Sequence, residues 1–204
     1  MSGRVRVDRV VTSGTFSLDG GTWDVENNVW VVGDDAECVV IDAAHDGRPI
    51  LRAVARRKVL AILLTHAHDD HCRVAPALRE AVVAPIFLHP DDKPLWELTH
   101  TDHLWDVDLE DGQTVKVGGA ALKVLHTPGH APGAICLYVH DLGCVFTGDT
   151  LFQGGPGATG RSFSDEDLIK ESIRSRLFDL PGETIVHTGH GADTTIGAER
   201  ANLG

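Results

Sequence analysis

The chain has 204 residues, 42% of them apolar and 24% charged, with a formal net charge of −12 when histidine is neutral. This length and composition suit a single domain over 1–204 with a substantial core and exclude a fibrous or disordered class. The acidic balance without Lys/Arg clusters counts against a nucleic-acid partner, and no apolar run approaches the ~18 residues of a membrane-crossing helix.

The first ten residues, M-S-G-R-V-R-V-D-R-V, contain no apolar signal segment, so the expectation is a cytoplasmic protein with no membrane partner. V-R-V-D-R-V-V (5–11) alternates polar and apolar residues, the period of a strand with one buried face. V-W-V-V (29–32) and E-C-V-V-I-D (37–42) are further strand-like runs. Residues 47–57 read as a helix. V-L-A-I-L-L-T (59–65) is short, apolar and unbroken, as expected of a strand buried on both faces. A helix over 72–82 and a strand over 84–89 follow. Residues 90–108 mix Trp, His and acids without a clean period, which points to a short helix and an irregular excursion. Two readings stand for Trp96, His100, His103 and Trp105. They line a substrate mouth, or they form a solvated excursion with packed tryptophans.

The second half is again strand-rich. Residues 113–126 resemble two strands around the Gly118-Gly119 turn, and 134–140 with 143–149 resemble a hairpin. Residues 162–177 read as a helix with Ser164 as N-cap, acids in the first turn, and Ile169, Ile173 and Leu177 at helical spacing. A strand over 184–187 and a helix over 194–203 close the chain. Strands flanked by helices in both halves imply an α/β fold layered helix–sheet–sheet–helix. Cys38, Cys72, Cys136 and Cys144 form no C-x-x-C pair and are expected as buried thiols.

Twelve histidines are many for this length, and most are clustered. T-H-A-H-D-D-H (65–71) places His66, His68, Asp70 and His71 at the carboxyl end of the 59–65 strand, where α/β sheets set their ligand sites. In extended backbone His66 and His68 point the same way, while Asp70 and His71 open the next helix. One short loop can therefore feed two neighbouring metals. Three later strand ends each add one candidate: His130 in H-T-P-G-H, Asp149 in F-T-G-D-T and His190 in H-T-G-H-G. His126 and His187 precede these loops and are expected to pack or orient rather than ligate. His45 is expected as a loop residue near the site. The loop 154–161 lacks the Lys of a phosphate-binding Walker loop, and its Arg161 either binds substrate or makes a structural salt bridge.

N-N-V-W-V-V (27–32), T-H-A-H-D-D-H, H-T-P-G-H, G-D-T-L-F-Q-G-G and G-H-G stand in an order that resembles the metallo-β-lactamase superfamily. Within it, the chain is similar to the glyoxalase II-type hydroxyacyl-thiol hydrolases. The resemblance spans about 25–195 and implies a four-layer αββα sandwich of the metallo-β-lactamase type. It implies two divalent metal ions, one held by His66, His68 and His130, the other by Asp70, His71 and His190, with Asp149 between them. Nitrogen and oxygen donors suit Zn(II), and also Fe(II) or Mn(II). A water shared by two metals would attack a carbonyl as hydroxide, with Asp70 orienting it or carrying a proton. The implied activity is hydrolysis of a small-molecule thioester. Two alternatives within the superfamily stay open: a mono-iron persulfide dioxygenase, resembled around G-R-S-F (160–163), and a lactonase. Glutathione-specific relatives usually carry an added C-terminal helical domain, whereas about 14 residues follow His190 here, which turns the expectation toward another small thiol carrier.

Overall fold

The computed structural model describes residues 3–203. The chain begins with a long hairpin, β1 (Arg6–Leu18) and β2 (Gly21–Gly33), paired antiparallel along its whole length. Asp19 and Gly20 turn it, both at positive φ, as a tight two-residue hairpin loop requires. Then follow β3 (Glu37–Ile41), α1 (Gly47–Val54), β4 (Lys58–Leu63), α2 (Asp69–Cys72), α3 (Ala75–Val82), β5 (Ile86–Leu88), α4 (Lys93–Thr99) and β6 (Val107–Asp108). The second half holds β7 (Thr114–Val117), β8 (Ala120–His126), β9 (Ile135–Val139), β10 (Cys144–Gly148), β11 (Leu151–Phe152) and β12 (Gly155–Pro156). It ends with α5 (Glu166–Ser172), β13 (Ile185–Thr188), β14 (Thr194–Thr195) and α6 (Ile196–Leu203).

Two six-stranded sheets result, ordered β1-β2-β3-β4-β5-β6 and β14-β13-β10-β9-β8-β7. Strand alternation decides what each side chain faces. Val29 and Val31 join a core with Ile50 of α1, Leu78 of α3 and Trp96 of α4. Their neighbours Trp30 and Val32 point the other way, into a core shared with Leu122, Leu137 and Phe146 of the second sheet. A third core lies beyond that sheet, where Leu125, Cys136 and Val145 meet Ile169, Leu177 and Ile196. The order is helix, sheet, sheet, helix, as the sequence implies. All four cysteines are buried and unpaired.

Several boundaries move for local reasons. The helix expected over 72–82 is two helices, α2 and α3; α3 starts at Ala75-Pro76, where a proline lacking its N–H fits the first turn. The helix expected from 162 starts only at Glu166 and continues as a π-helical turn over Ile173–Leu177. Its N-cap is Asp165 rather than Ser164: Asp165 Oδ1 accepts from the Leu168 N–H at 2.9 Å. The Ser164 hydroxyl faces backward, accepting from the Gly160 and Arg161 N–H groups. Asp165→Ala should therefore lower stability by about 1 kcal/mol in urea unfolding, the usual cost of a lost N-cap.

Candidate metal centre

The strands β3, β4 and β5 run parallel, as do β10 and β13. Their carboxyl ends, with the loop after β8, open on one rim of the sandwich, and the Ile135 N–H bonds Thr65 O across the two sheets there at 2.8 Å. The seven expected residues meet at this rim. His66 Nε2 and His130 Nε2 each lie 3.0 Å from His68 Nδ1. Beside them, His71 Nε2 is 3.3 Å from His190 Nε2, and Asp70 Oδ2 is 3.4 Å from His190 Nε2. Asp149 lies between the groups, with Oδ2 3.5 Å from His130 Nε2 and 3.3 Å from His190 Nε2, and Oδ1 3.2 Å from His71 Nε2.

These separations fit metal ligation. Donors about 2.0–2.1 Å from a tetrahedral ion stand roughly 3.3–3.4 Å apart. Asp149 Oδ1 is buried, and its one close neighbour of opposite charge is His71 Nε2 at 3.2 Å, in poor hydrogen-bond geometry, so a carboxylate oxygen is left for a cation. Four histidines have their other ring nitrogen tied down, which leaves Nε2 facing inward. His71 Nδ1 donates to Asp42 Oδ2 at 2.9 Å, His130 Nδ1 to Ala158 O at 2.9 Å, and His190 Nδ1 to Glu26 O at 2.7 Å. His66 Nδ1 lies 3.1 Å from Thr65 Oγ1, and that hydroxyl in turn bonds Asp42. Two glycines leave the necessary room. A Cβ at Gly189 would collide with Asp149 Oδ1, and one at Gly157 with Asp149 O.

Residues 22–190 match the family model of the metallo-beta-lactamase superfamily. The chain belongs to this superfamily. The hydroxyacylglutathione hydrolase GloC of Haemophilus influenzae is 31% identical over 182 residues, covering 82% of this chain and 86% of that protein. Among solved structures, TTHA1623 in a di-iron-bound form is 35% identical with a TM-score of 0.78, over 87% of this chain and 94% of that one. BLEG-1, a B3 metallo-beta-lactamase, is 31% identical with a TM-score of 0.79, over 93% of this chain and 97% of that one. The protein is thus a metallo-hydrolase-type enzyme of a fold that binds divalent metals. No described helix is long and apolar enough to cross a membrane.

Other expectations sort by geometry. His126 and His187 stay outside the cluster: His126 Nε2 donates to Pro132 O, and His187 Nδ1 lies 3.0 Å from Asp193 Oδ2. His89, Asp91 and His126 also lie close enough to suggest an ion site. The rings of His89 and His126, however, stack at 4.0 Å with planes 13° apart, so one ion cannot lie in both ring planes. The segment 90–108 does not form the mouth. Trp96 is buried in the helix-side core, with Nε1 donating to His103 O, and His100 Nε2 donates to Cys72 O. The mouth belongs instead to the β1–β2 hairpin and the 152–161 loop. A cavity of about 410 Å³ opens over Asp70, His130, Asp149 and His190, bordered by Phe16, Trp23, Phe152 and Arg161. The Arg161 guanidinium lies 4.2 Å from the Trp23 ring centre and 5.3 Å from that of Phe16, and it makes no ion pair among the described residues.

The electrostatics divide the cluster. Burial holds His66 well below the usual imidazole range, His68 at about 3, and His130 low. These three are neutral near pH 7 and need shed no proton to ligate. His71 and His190 behave oppositely. Burial opposes their charge, but Asp149 and Asp70 outweigh it, lifting His71 well above its ordinary value and His190 to about 10. Burial likewise opposes the carboxylate charges, yet His71 and His190 keep Asp149 very low and Asp70 at about 2. A divalent ion at Asp70, His71 and His190 must therefore displace protons. Its affinity should rise up to tenfold per pH unit for each proton displaced between pH 6 and 9, while affinity at His66, His68 and His130 stays nearly flat. Competitive chelator titrations across that range would show two such slopes; equal slopes would refute the division.

Proposed function

We propose that this protein is a metal-dependent thioesterase that cleaves acyl conjugates of a small cellular thiol. The observation that carries the reading is Asp149, set between two ligand groups on the floor of an open cavity. In the proposed site His66, His68 and His130 hold one ion, and Asp70, His71 and His190 the other. Two divalent ions there, with zinc, iron(II) or manganese(II) all suited, would supply Lewis acidity and lower the pKa of a bound water. The di-iron form of one relative supports a pair.

The chain's own groups set the rest. Asp70 is an ionised carboxylate near neutral pH, because its pKa lies at about 2. It is therefore a hydrogen-bond acceptor that orients an attacking water and a poor store for its proton. Asn27 Nδ2 donates to Asp70 Oδ2 at 3.0 Å and fixes that carboxylate. Arg161 offers unpaired donors at the rim to a substrate carboxylate or carbonyl, held in place by Trp23 and Phe16. A thiolate leaves without a proton at neutral pH, since ordinary thiols ionise near pH 8.5, so no general acid is required. Support for the substrate class comes from the GloC relative, whose name specifies a hydroxyacylglutathione and which this chain covers over 86% of its length. Four unpaired cysteines support a cytoplasmic location.

Two experiments bear on this. After expression with ample metal, elemental analysis should find about two equivalents per chain. Asp149→Ala should lose both, and His190→Ala chiefly one. Full metal and wild-type turnover in Asp149→Ala would remove Asp149 from its proposed place. A panel of acyl-thiol esters, lactones, a persulfide and a β-lactam should give thioester hydrolysis, with Arg161→Ala raising KM about tenfold, the loss of one charge-assisted contact. Oxygen uptake with the persulfide and no thioester hydrolysis at any metal loading would make the protein a dioxygenase. Lactone opening alone would make it a lactonase.

A further inference from the structure

His45 takes no part in the ligand cluster, yet three features set it apart. Its φ is +49°, a left-handed conformation uncommon outside Gly, which His, Asn and Asp adopt more often than other residues. Its Nδ1 is buried without a hydrogen-bond partner among the described residues. Its ring packs so closely on β1 that a Cβ at Gly14 would collide with it. A strained backbone and an unpaired polar atom both oppose folding, so the surroundings hold this imidazole in place.

The ring's other nitrogen shows what the placement accomplishes. His45 Nε2 lies 2.6 Å from Asn27 Oδ1, and Asn27 Nδ2 lies 3.0 Å from Asp70 Oδ2. The Asp70 carboxylate only accepts, so the Asn27 amide must turn its NH2 toward Asp70 and its oxygen toward His45. His45 must then donate from Nε2, which leaves Nδ1 as the bare nitrogen. Asp70 sets which way the amide faces, and Asn27 Nδ2 also lies 3.2 Å from His71 Nε2; without His45 the buried Asn27 oxygen would lose its donor, and the amide would be held from one end only.

We propose that His45 is a positioning residue for Asp70, acting through the side-chain amide of Asn27. This rests on the reading that Asp70 serves in the reaction and at the second ion. The strain makes the role separable from stability, because glycine accepts the left-handed conformation freely. His45→Gly relieves the backbone strain while giving up the ring's packing and its bond to Asn27, so it should stay folded with a melting temperature near that of wild type, yet lower kcat on the best acyl-thiol ester about tenfold with KM unchanged. His45→Asn, which tolerates the same backbone but is too short to span to Asn27, should behave alike. Asn27→Ala should show a similar loss, and the double variant His45→Gly/Asn27→Ala should be no worse than Asn27→Ala alone.

A readout without turnover keeps the inference separate from the substrate assignment. In the metal-free protein the Asn27 side-chain NH2 should give slowly exchanging NMR signals, lost in His45→Gly. Zinc titration should show only the second equivalent weakened. If no thioester is cleaved but both signatures appear, the positioning role stands and the substrate reading fails. Wild-type kcat in His45→Gly, additive losses in the double variant, or unchanged Asn27 signals would each overturn the positioning role. So would a loss of kcat accompanied by a fall in melting temperature in both His45 variants.

Discussion

Two carboxylates under a layered sheet, Asp70 and Asp149, impose the constraint that organises this molecule. A buried negative charge is costly unless positive charge stands next to it. Here that charge resides on His71 and His190, and a divalent ion can take it over. Everything near the rim serves to keep the charges in register. Asp42 bonds Thr65 and His71 together, so one buried acid orients both the start of the ligand loop and one of its histidines. Asp92 does the same between loops, accepting from the Ala67 N–H at 2.7 Å and from the Gly133 N–H. It makes no ion pair among the described residues, and burial raises its pKa to about 7. The clustered His and Asp side chains therefore sit on loops whose backbones are stitched to one another, which is how four strand ends reach common geometry.

Much of this is legible in the amino-acid sequence. The runs at 29–32, 37–42 and 59–65 are apolar on both faces because they lie between a helix layer and a second sheet. Composition alone carries that signal. The convergence of these side chains is legible because His66, His68, Asp70 and His71 crowd into six residues, a pattern that packing does not demand. The hairpin escaped because the second half of β1, from Thr12 to Leu18, has no clean alternation; its exposed ribbon is held by pairing with β2 more than by burial. The Asp-Gly at 19–20 was the available signal. Asp42, Asn27 and Asp92 escaped for another reason. Asp42 follows an apolar run as an ordinary turn former would, Asn27 and Asp92 each stand among other polar residues, and only the fold shows what each one bonds.

The excursion at 90–108 is where the fold decides between the two readings that the sequence leaves open. Its tryptophans and histidines have the composition of a binding site, yet Trp96 and His100 spend their polar atoms on the backbone at His103 and Cys72. The segment braces the helices behind the ligand loop. The aromatic residues that do border the cavity, Phe16, Trp23 and Phe152, come from stretches with no such concentration. Ser162 N–H donates to Asp19 Oδ2, so the tip of the hairpin and the loop bearing Arg161 are fastened across the cavity mouth.

The four cysteines give the layered packing a chemical meaning. Burial raises all of them, Cys136 to about 11 and Cys144 to about 12, with Cys38 and Cys72 also shifted upward. None can present a thiolate to the solvent. For a catalyst handling activated acyl groups, an exposed thiolate would be a competing acceptor, capturing the acyl group in a thioester exchange and leaving the protein modified. With all four cysteine sulfurs sealed inside the sandwich, the chain offers no thiol for such an exchange if the proposed activity holds.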